Sequence, residues 1–350
     1  MQRTFELAQR GGKNVARNPQ VGAVIFAENK VIGEGWHHKM GGPHAEINAL
    51  NSVKPQDLHL LEKSKIFVSL EPCAHFGKTP PCSLAIIKAG IPEVHIALLD
   101  PTDKVAGKGV KMLEDAGIKV IIHDIPAAKE VAASFLTHHK YSRPKVLLKY
   151  AQSSDGFLSK VNQQTWLTNA FSKRLVHAYR EKIGAILIGR KTAEIDNPSL
   201  TTRYGYGFGA DPIRIVIDLD GRLSPSLNIF QNSPSDEIST FILTSVTHPI
   251  SKLGNSSIGF VAIDKNKDFH RQLFSFLNSK AINTLLVEGG STTLNSFFKS
   301  NHWDEALVFS SKAILKDGIR APKILEKEAV ETISIKEDEV SLYRNSKNAF

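Results

Sequence analysis

The feature that most limits this chain is the order of its short apolar runs. Runs of strand length, rich in β-branched residues, alternate with helix-patterned segments along most of the 350 residues. "VGAVIFA" (21–27) and "VIGEGW" (31–36) read as strands paired across a turn at Asn29 and Lys30. "HAEINALNSV" (44–53) reads as a helix, "KIFVSLE" (65–71) as a strand, and "PCSLAIIKAG" (81–90) as a helix with proline at its start and glycine at its end. "VHIALLD" (94–100), a helix ending near Gly117 and "IKVIIH" (118–123) continue the series, and a helical segment then runs to about His139. At "KYSRPKVLLKYA" a proline and a new apolar run restart the pattern, which places a domain boundary at Tyr141–Pro144 and divides the chain into 1–143 and 144–350. Beyond it come "VLLKYA", a helix over 169–182, "GAILIG", "IRIVID", "TFILTS", a helix over 268–279, "NTLLVEGG" and a helix in "STTLNSFFKS". Alternation of this kind builds layered α/β sheets.

A second domain is also what length predicts, since one core seldom serves 350 residues. No uncharged apolar run approaches the ~18 residues that span a bilayer. The first residues suit an amphipathic helix carrying Phe5, Leu7 and Ala8 rather than a signal peptide. A cytoplasmic protein is expected. Two cysteines in so long a chain exclude a disulfide framework. The net charge of +9 is shared almost equally, +4 before residue 144 and +5 after it, with no basic tail. A nucleic-acid binder more often concentrates its charge, and no aromatic-flanked basic run stands out in the second half. No nucleic acid or membrane is expected as a partner, and association of identical subunits stays open.

The two cysteines carry the chemistry. Cys73 and Cys82 each follow a proline, and some thirty residues earlier stands "HAE", His44 to Glu46. Catalytic zinc takes three protein ligands, with thiolate and imidazole among the suitable donors, and leaves one position open. His44, Cys73 and Cys82 supply such a set. Cys82 begins a helix, where the dipole favours a thiolate, and Cys73 follows a strand end. At the first turn after Pro43, Glu46 can face the same pocket as His44 and carry protons without binding the metal, the division of labour in zinc deaminases. Two other readings use the same residues: buried core cysteines, or a closed structural zinc with His75 as fourth ligand.

At these positions "NPQVGAVI", "HAE", "EPCAHFGKTPPC" and "DPTDKVAGKG" resemble, in order, the deaminase half of the bifunctional riboflavin-biosynthesis deaminase/reductases. Eight residues separate the cysteines, where other zinc deaminases have two, and the long insert resembles that family. The resemblance implies a cytidine-deaminase-like three-layer α/β domain. In it His44, Cys73 and Cys82 bind Zn2+, Glu46 is catalytic, Asn18 and His37 contact a pyrimidine, and Lys78 meets its phosphoribosyl part.

Residues 145–350 resemble the family's reductase half through "LLKYAQSSDG", "WLT", "GRKTAEIDNPSLTTR", "RIVID" and "VEGGSTTLNSFF". This implies a dihydrofolate-reductase-like α/β domain. NADPH would be held by Ala151, Trp166, Thr192, Asp196 and the turn Gly290, Ser291, Thr292, Thr293, Leu294, Asn295 and Ser296. A phosphorylated pyrimidine substrate would meet Arg180, Leu200, Arg203 and Glu288. Independently, strand, double glycine and helix in "LLVEGGSTTLNSFF" aim backbone N–H groups at an anion. Arg190 and Lys191 are candidates for the cofactor's 2′-phosphate. The family pattern is broken at Ser154 and in "VNQQTW", which puts Gln164 where a substrate contact is expected, and no side-chain acid for the reduction stands out.

Overall fold

The computed structural model describes residues 1–76, 80–102, 105–204, 211–230, 239–248, 250–251, 257–325 and 328–348. The chain divides into two compact units, one spanning Met1–Ser142 and the other starting at Arg143.

The first unit is built on a five-stranded sheet in the order β2-β1-β3-β4-β5. Its strands are β1 (Gly22–Ala27), β2 (Lys30–Trp36), β3 (Lys65–Val68), β4 (Glu93–Ile96) and β5 (Lys119–Ile122). β1 runs antiparallel to β2 and β3, and β3, β4 and β5 are parallel. The helices are α1 (Gln2–Gln9), α2 (Ala45–Asn51), α3 (Cys82–Lys88), α4 (Lys108–Asp115), α5 (Pro126–Val131) and α6 (Ala133–Tyr141). Side chains alternate along each strand, so Ile25, Ile66, Val68, Val94 and Ile96 enter one core with Ala45 and Ala49 of α2, Ile86 of α3 and Leu113 of α4. A second cluster gathers Leu70, Ala97 and Leu98 with Ala128, Phe135 and Leu136 of α5 and α6. Helix–sheet–helix is therefore the layer order. Gly35 permits the close seating of α2, because a Cβ there would overlap the Ala45 carbonyl oxygen.

The second unit carries a nine-stranded sheet in the order β11-β10-β9-β8-β12-β6-β13-β16-β15. Its elements are β6 (Lys145–Gln152), β7 (Phe157–Ser159), α7 (Ala170–Lys182), β8 (Ala185–Gly189), α8 (Arg190–Asp196), β9 (Ile213–Ile217), β10 (Thr240–Thr244) and β11 (Ile258–Ala262). There follow α9 (Phe269–Ser279), β12 (Thr284–Gly289), α10 (Ser291–Lys299), β13 (Glu305–Ser310), β14 (Ile319–Arg320), β15 (Glu331–Ile335) and β16 (Asp338–Arg344). From β11 to β13 all neighbours are parallel, and β16 and β15 close that edge antiparallel. β7 and β14 form a separate pair. One sheet face packs Val146, Leu148, Leu285 and Val287 against Leu273, Leu277, Leu294 and Phe297 of α9 and α10. The other packs Leu147, Ile186 and Leu286 against Val176 of α7 and Ala193 of α8. The Asn169 side chain caps α7 by accepting from the Phe171 and Ser172 amides.

Where β6 begins, Arg143 donates two hydrogen bonds to Asp304, at 2.6 and 2.7 Å, and the same carboxylate accepts from the Val146 amide. Both side chains are buried.

Candidate functional site

In the first unit, His44 is the N-cap residue of α2 and Cys82 the first residue of α3. Two helix starts thus bring an imidazole and a sulfur to the end of the sheet, and the turn after β3 brings the other sulfur. His44 Nδ1 lies 3.6 Å from Cys73 Sγ and 3.4 Å from Cys82 Sγ. A tetrahedral zinc with ordinary Zn–N and Zn–S lengths needs N···S edges of about 3.5 Å, so the three donors fit the ion. Among the described residues no fourth His, Cys, Asp or Glu donor joins this group; His75 is exposed. The Cys73 thiol is held well below its ordinary value by hydrogen bonding with the Cys82 thiol and with His44, and its sulfur also accepts from the Cys82 backbone N–H at 3.3 Å. Cys73 is thus biased toward the thiolate a metal requires, whereas the hydrogen bond with Cys73, together with burial, pushes the Cys82 thiol up despite its place at a helix start.

Glu46 lies in the first turn of α2 and is buried. Burial pushes its carboxyl up to about 7, with Cys73 adding to the rise and His44 opposing it. The site opens into a cavity of about 710 Å3 whose lining includes Asn18, His37, His44, Glu46, Cys73 and Asp100. His37 is fixed from both sides: Nδ1 donates to the Pro43 carbonyl at 2.9 Å, and Nε2 accepts from Asn18 Nδ2 at 2.9 Å. This pairing points the Asn18 amide nitrogen at the ring. Burial lowers the His37 pKa, in keeping with a neutral imidazole. Lys78 lies outside the described residues.

In the second unit the ends of β8 and β12 meet the starts of α8 and α10. A Cβ on Gly290 would stand 3.0 Å from Thr192 Oγ1, and one on Gly189 would stand 2.9 Å from Thr293 Oγ1. Gly289 has φ +127, a region that side-chain-bearing residues rarely adopt. Thr192 thus lies against Gly290, at the start of α10, and Thr293, in its first turn, lies against Gly189 at the end of β8. Ala151 packs against the α7/α8 core, and Asp196 ends α8, its carboxyl raised by burial.

Arg180 and Glu288, both expected to face substrate, hold each other through two 2.7 Å hydrogen bonds. Burial alone would raise the Glu288 carboxyl, but Arg180, with Lys149 beyond it, holds it at about 2. Arg203 is exposed, and its backbone N–H donates to His177 Nδ1 at 2.9 Å. Leu200 is buried in the core at φ +52, the position of a packing residue. Gln164 donates to the Asp196 carbonyl. Arg190 is engaged by Glu194 at 2.8 Å, and Lys191 is exposed.

Two features escape a reading of the sequence. Lys149 interrupts the apolar run of β6 on the face shared with Leu147, and its ammonium is pushed down by burial near Glu288, Arg180 and Asp196. A lone lysine inside a buried strand was the available signal. The other feature is a set of exposed aromatics bearing cations: Lys173 over Trp166, Arg174 and Lys336 over Phe171, and Arg174 over Tyr204, at 4.5–5.9 Å. Its members come from distant stretches, so the sequence shows no basic run there.

Comparison with known proteins bears on both units. Residues 1–98 match the cytidine and deoxycytidylate deaminase zinc-binding region, and residues 144–344 the RibD C-terminal domain. The riboflavin biosynthesis protein RibD of Aquifex aeolicus is 33% identical, over 97% of this chain and 94% of its own. That of Escherichia coli K12 is 32% identical over 91% and 89%. The crystal structure of a diaminohydroxyphosphoribosylaminopyrimidine deaminase/5-amino-6-(5-phosphoribosylamino)uracil reductase from Thermotoga maritima matches with a TM-score of 0.85 at 31% identity, covering 98% of this chain and 97% of that one. Acinetobacter baumannii RibD gives 0.84 at 29% identity, over 97% and 96%. A cytidine-deaminase-like unit matching a zinc-binding region, followed by a dihydrofolate-reductase-like unit, is matched by these relatives along nearly the whole chain, and the chain belongs to the RibD family of bifunctional deaminase/reductases of riboflavin biosynthesis.

Proposed function

We propose that residues 1–143 deaminate 2,5-diamino-6-ribosylamino-4(3H)-pyrimidinone 5′-phosphate, and that residues 144–350 reduce its ribosyl group to give 5-amino-6-ribitylamino-uracil 5′-phosphate, in the cytoplasm. The observation that carries the first step is the convergence of His44, Cys73 and Cys82 at tetrahedral-edge distances beside a buried glutamate. Zinc held by these three supplies Lewis acidity that activates water. Glu46, raised toward neutrality by burial, takes a proton from the attacking water and passes it to the ring nitrogen, then takes a second from the hydroxyl added to the ring carbon and passes it to the departing amine. His37 orients Asn18, and together they hold the pyrimidine edge, with Lys78 for the phosphate.

In the second unit Thr192, Gly290 and Thr293 support a dinucleotide at the α10 start, with Ala151, Asp196 and Trp166 completing its site. NADPH supplies the hydride that C1′ of the sugar receives. The proton that opens the ribose ring comes from Lys149, whose lowered pKa eases its release. Arg180 holds Glu288 in place, and Arg203 is left to meet the substrate phosphate. The test is incubation with the diaminopyrimidine phosphate, with and without NADPH, following ammonia and cofactor oxidation separately. Ammonia without NADPH, and oxidation only after ammonia release, is the expected result. Absence of either signal overturns that half of the reading.

A further inference from the structure

Glu71 stands two residues before Cys73, and its carboxylate is buried. Oε2 accepts from the backbone amides of Asp100 at 3.2 Å and Gly107 at 3.0 Å, and Oε1 from those of Gly109 at 2.9 Å and Val110 at 3.3 Å. A carboxylate has about four lone-pair sites, so all of them are occupied and none is left for proton transfer. Two of the donors are first-turn amides of α4, whose N-cap is a glycine without a side chain. Glu71 therefore supplies the cap from another part of the chain. α4 also seats directly on the neighbouring peptide: a Cβ on Gly109 would overlap the Pro72 carbonyl oxygen. The segment so held includes Asp100, Thr102 and Val105, which line the deaminase cavity with Glu71 itself. Asp100 in turn accepts from the Thr102 amide at 2.8 Å and its hydroxyl at 2.6 Å.

We propose that Glu71 is a positioning residue that fixes Asp100–Thr102 and Val105–Val110 as a cavity wall, setting how tightly the phosphorylated pyrimidine is held without entering the proton chemistry. The proposal rests on the deaminase reading of the first unit. Glu71→Gln keeps the size of the side chain but turns an amide nitrogen toward N–H donors, removing acceptors for two of the four amides. In the wild-type holoenzyme the amides of Asp100, Gly107, Gly109 and Val110 exchange slowly with solvent. In the variant their exchange quickens by about tenfold or more, KM for deamination rises about tenfold, and kcat and zinc retention against a chelator stay within about twofold. A purely structural role would lower the melting temperature and leave KM unmoved, which overturns the proposal. So does loss of kcat at unchanged KM, or loss of zinc. If the variant does not fold, exchange in the wild type decides: rates of an unstructured peptide at those four amides sink the idea. Wild-type enzyme that releases no ammonia refutes the deaminase reading instead, and the exchange pattern still reports on Glu71.

Discussion

In the deaminase reading proposed above the hydrolytic chemistry turns on Glu46, buried in the first turn of α2, and its replacement separates chemistry from metal binding. Glu46→Gln is expected to lower kcat for ammonia release by about 10²- to 10⁴-fold while a chelator competition shows zinc retained. In the reductase, Lys149→Met should lower kcat by about a hundredfold. The sign of the pH dependence follows from Lys149 as well. Its folded pKa lies below 10.5 because burial penalises the ammonium, and in the role proposed for it the group must be protonated. Reductase kcat/KM therefore falls as pH rises through that lowered value, earlier than an ordinary lysine would titrate, and a pH profile of cofactor oxidation measures it. The contrast between these residues shows what a sequence can reveal. His44, Glu46, Cys73 and Cys82 stand in short motifs whose spacing betrays them. Glu71 and Lys149 take their meaning from partners tens of residues away, which no local pattern records.

Arg180 on α7 and Glu288 on β12 tie a helix to the middle of the nine-stranded sheet. Removing the cation leaves a buried carboxylate without its partner, so Arg180→Met is expected to cost about 3–5 kcal/mol at pH 7 in urea unfolding. Glu288 has a folded pKa of about 2 against 4.5 unperturbed, so the pair's contribution is present above about 4.5 and is lost as pH falls toward 2. The gap between wild type and variant should narrow across that window. Most elements were legible as alternating runs, including the strand, double glycine and helix at β12 and α10. The errors have physical causes. "VHIALLD" reads as one strand, yet β4 stops at Ile96 because Ala97 and Leu98 turn into the α5/α6 cluster. After residue 300 the pattern fades: β15 is exposed at four of its five positions and shows no apolar face.

Each unit has its own hydrophobic clusters, and among the described residues the zinc-type donors belong to the first unit alone. Chelation of the holoenzyme should therefore abolish ammonia release while leaving NADPH-linked reduction of the already deaminated substrate unchanged; following both signals in one preparation checks this. No helix among the described residues is long and apolar enough to cross a membrane. At the junction, Ser142 adopts φ +52 just after α6, and the next residue is anchored by Asp304. One half thus ends and the other is pinned within a single peptide step. A junction this short is a natural seam: a cut there would pass between the hydrophobic clusters of the two halves and divide none of them.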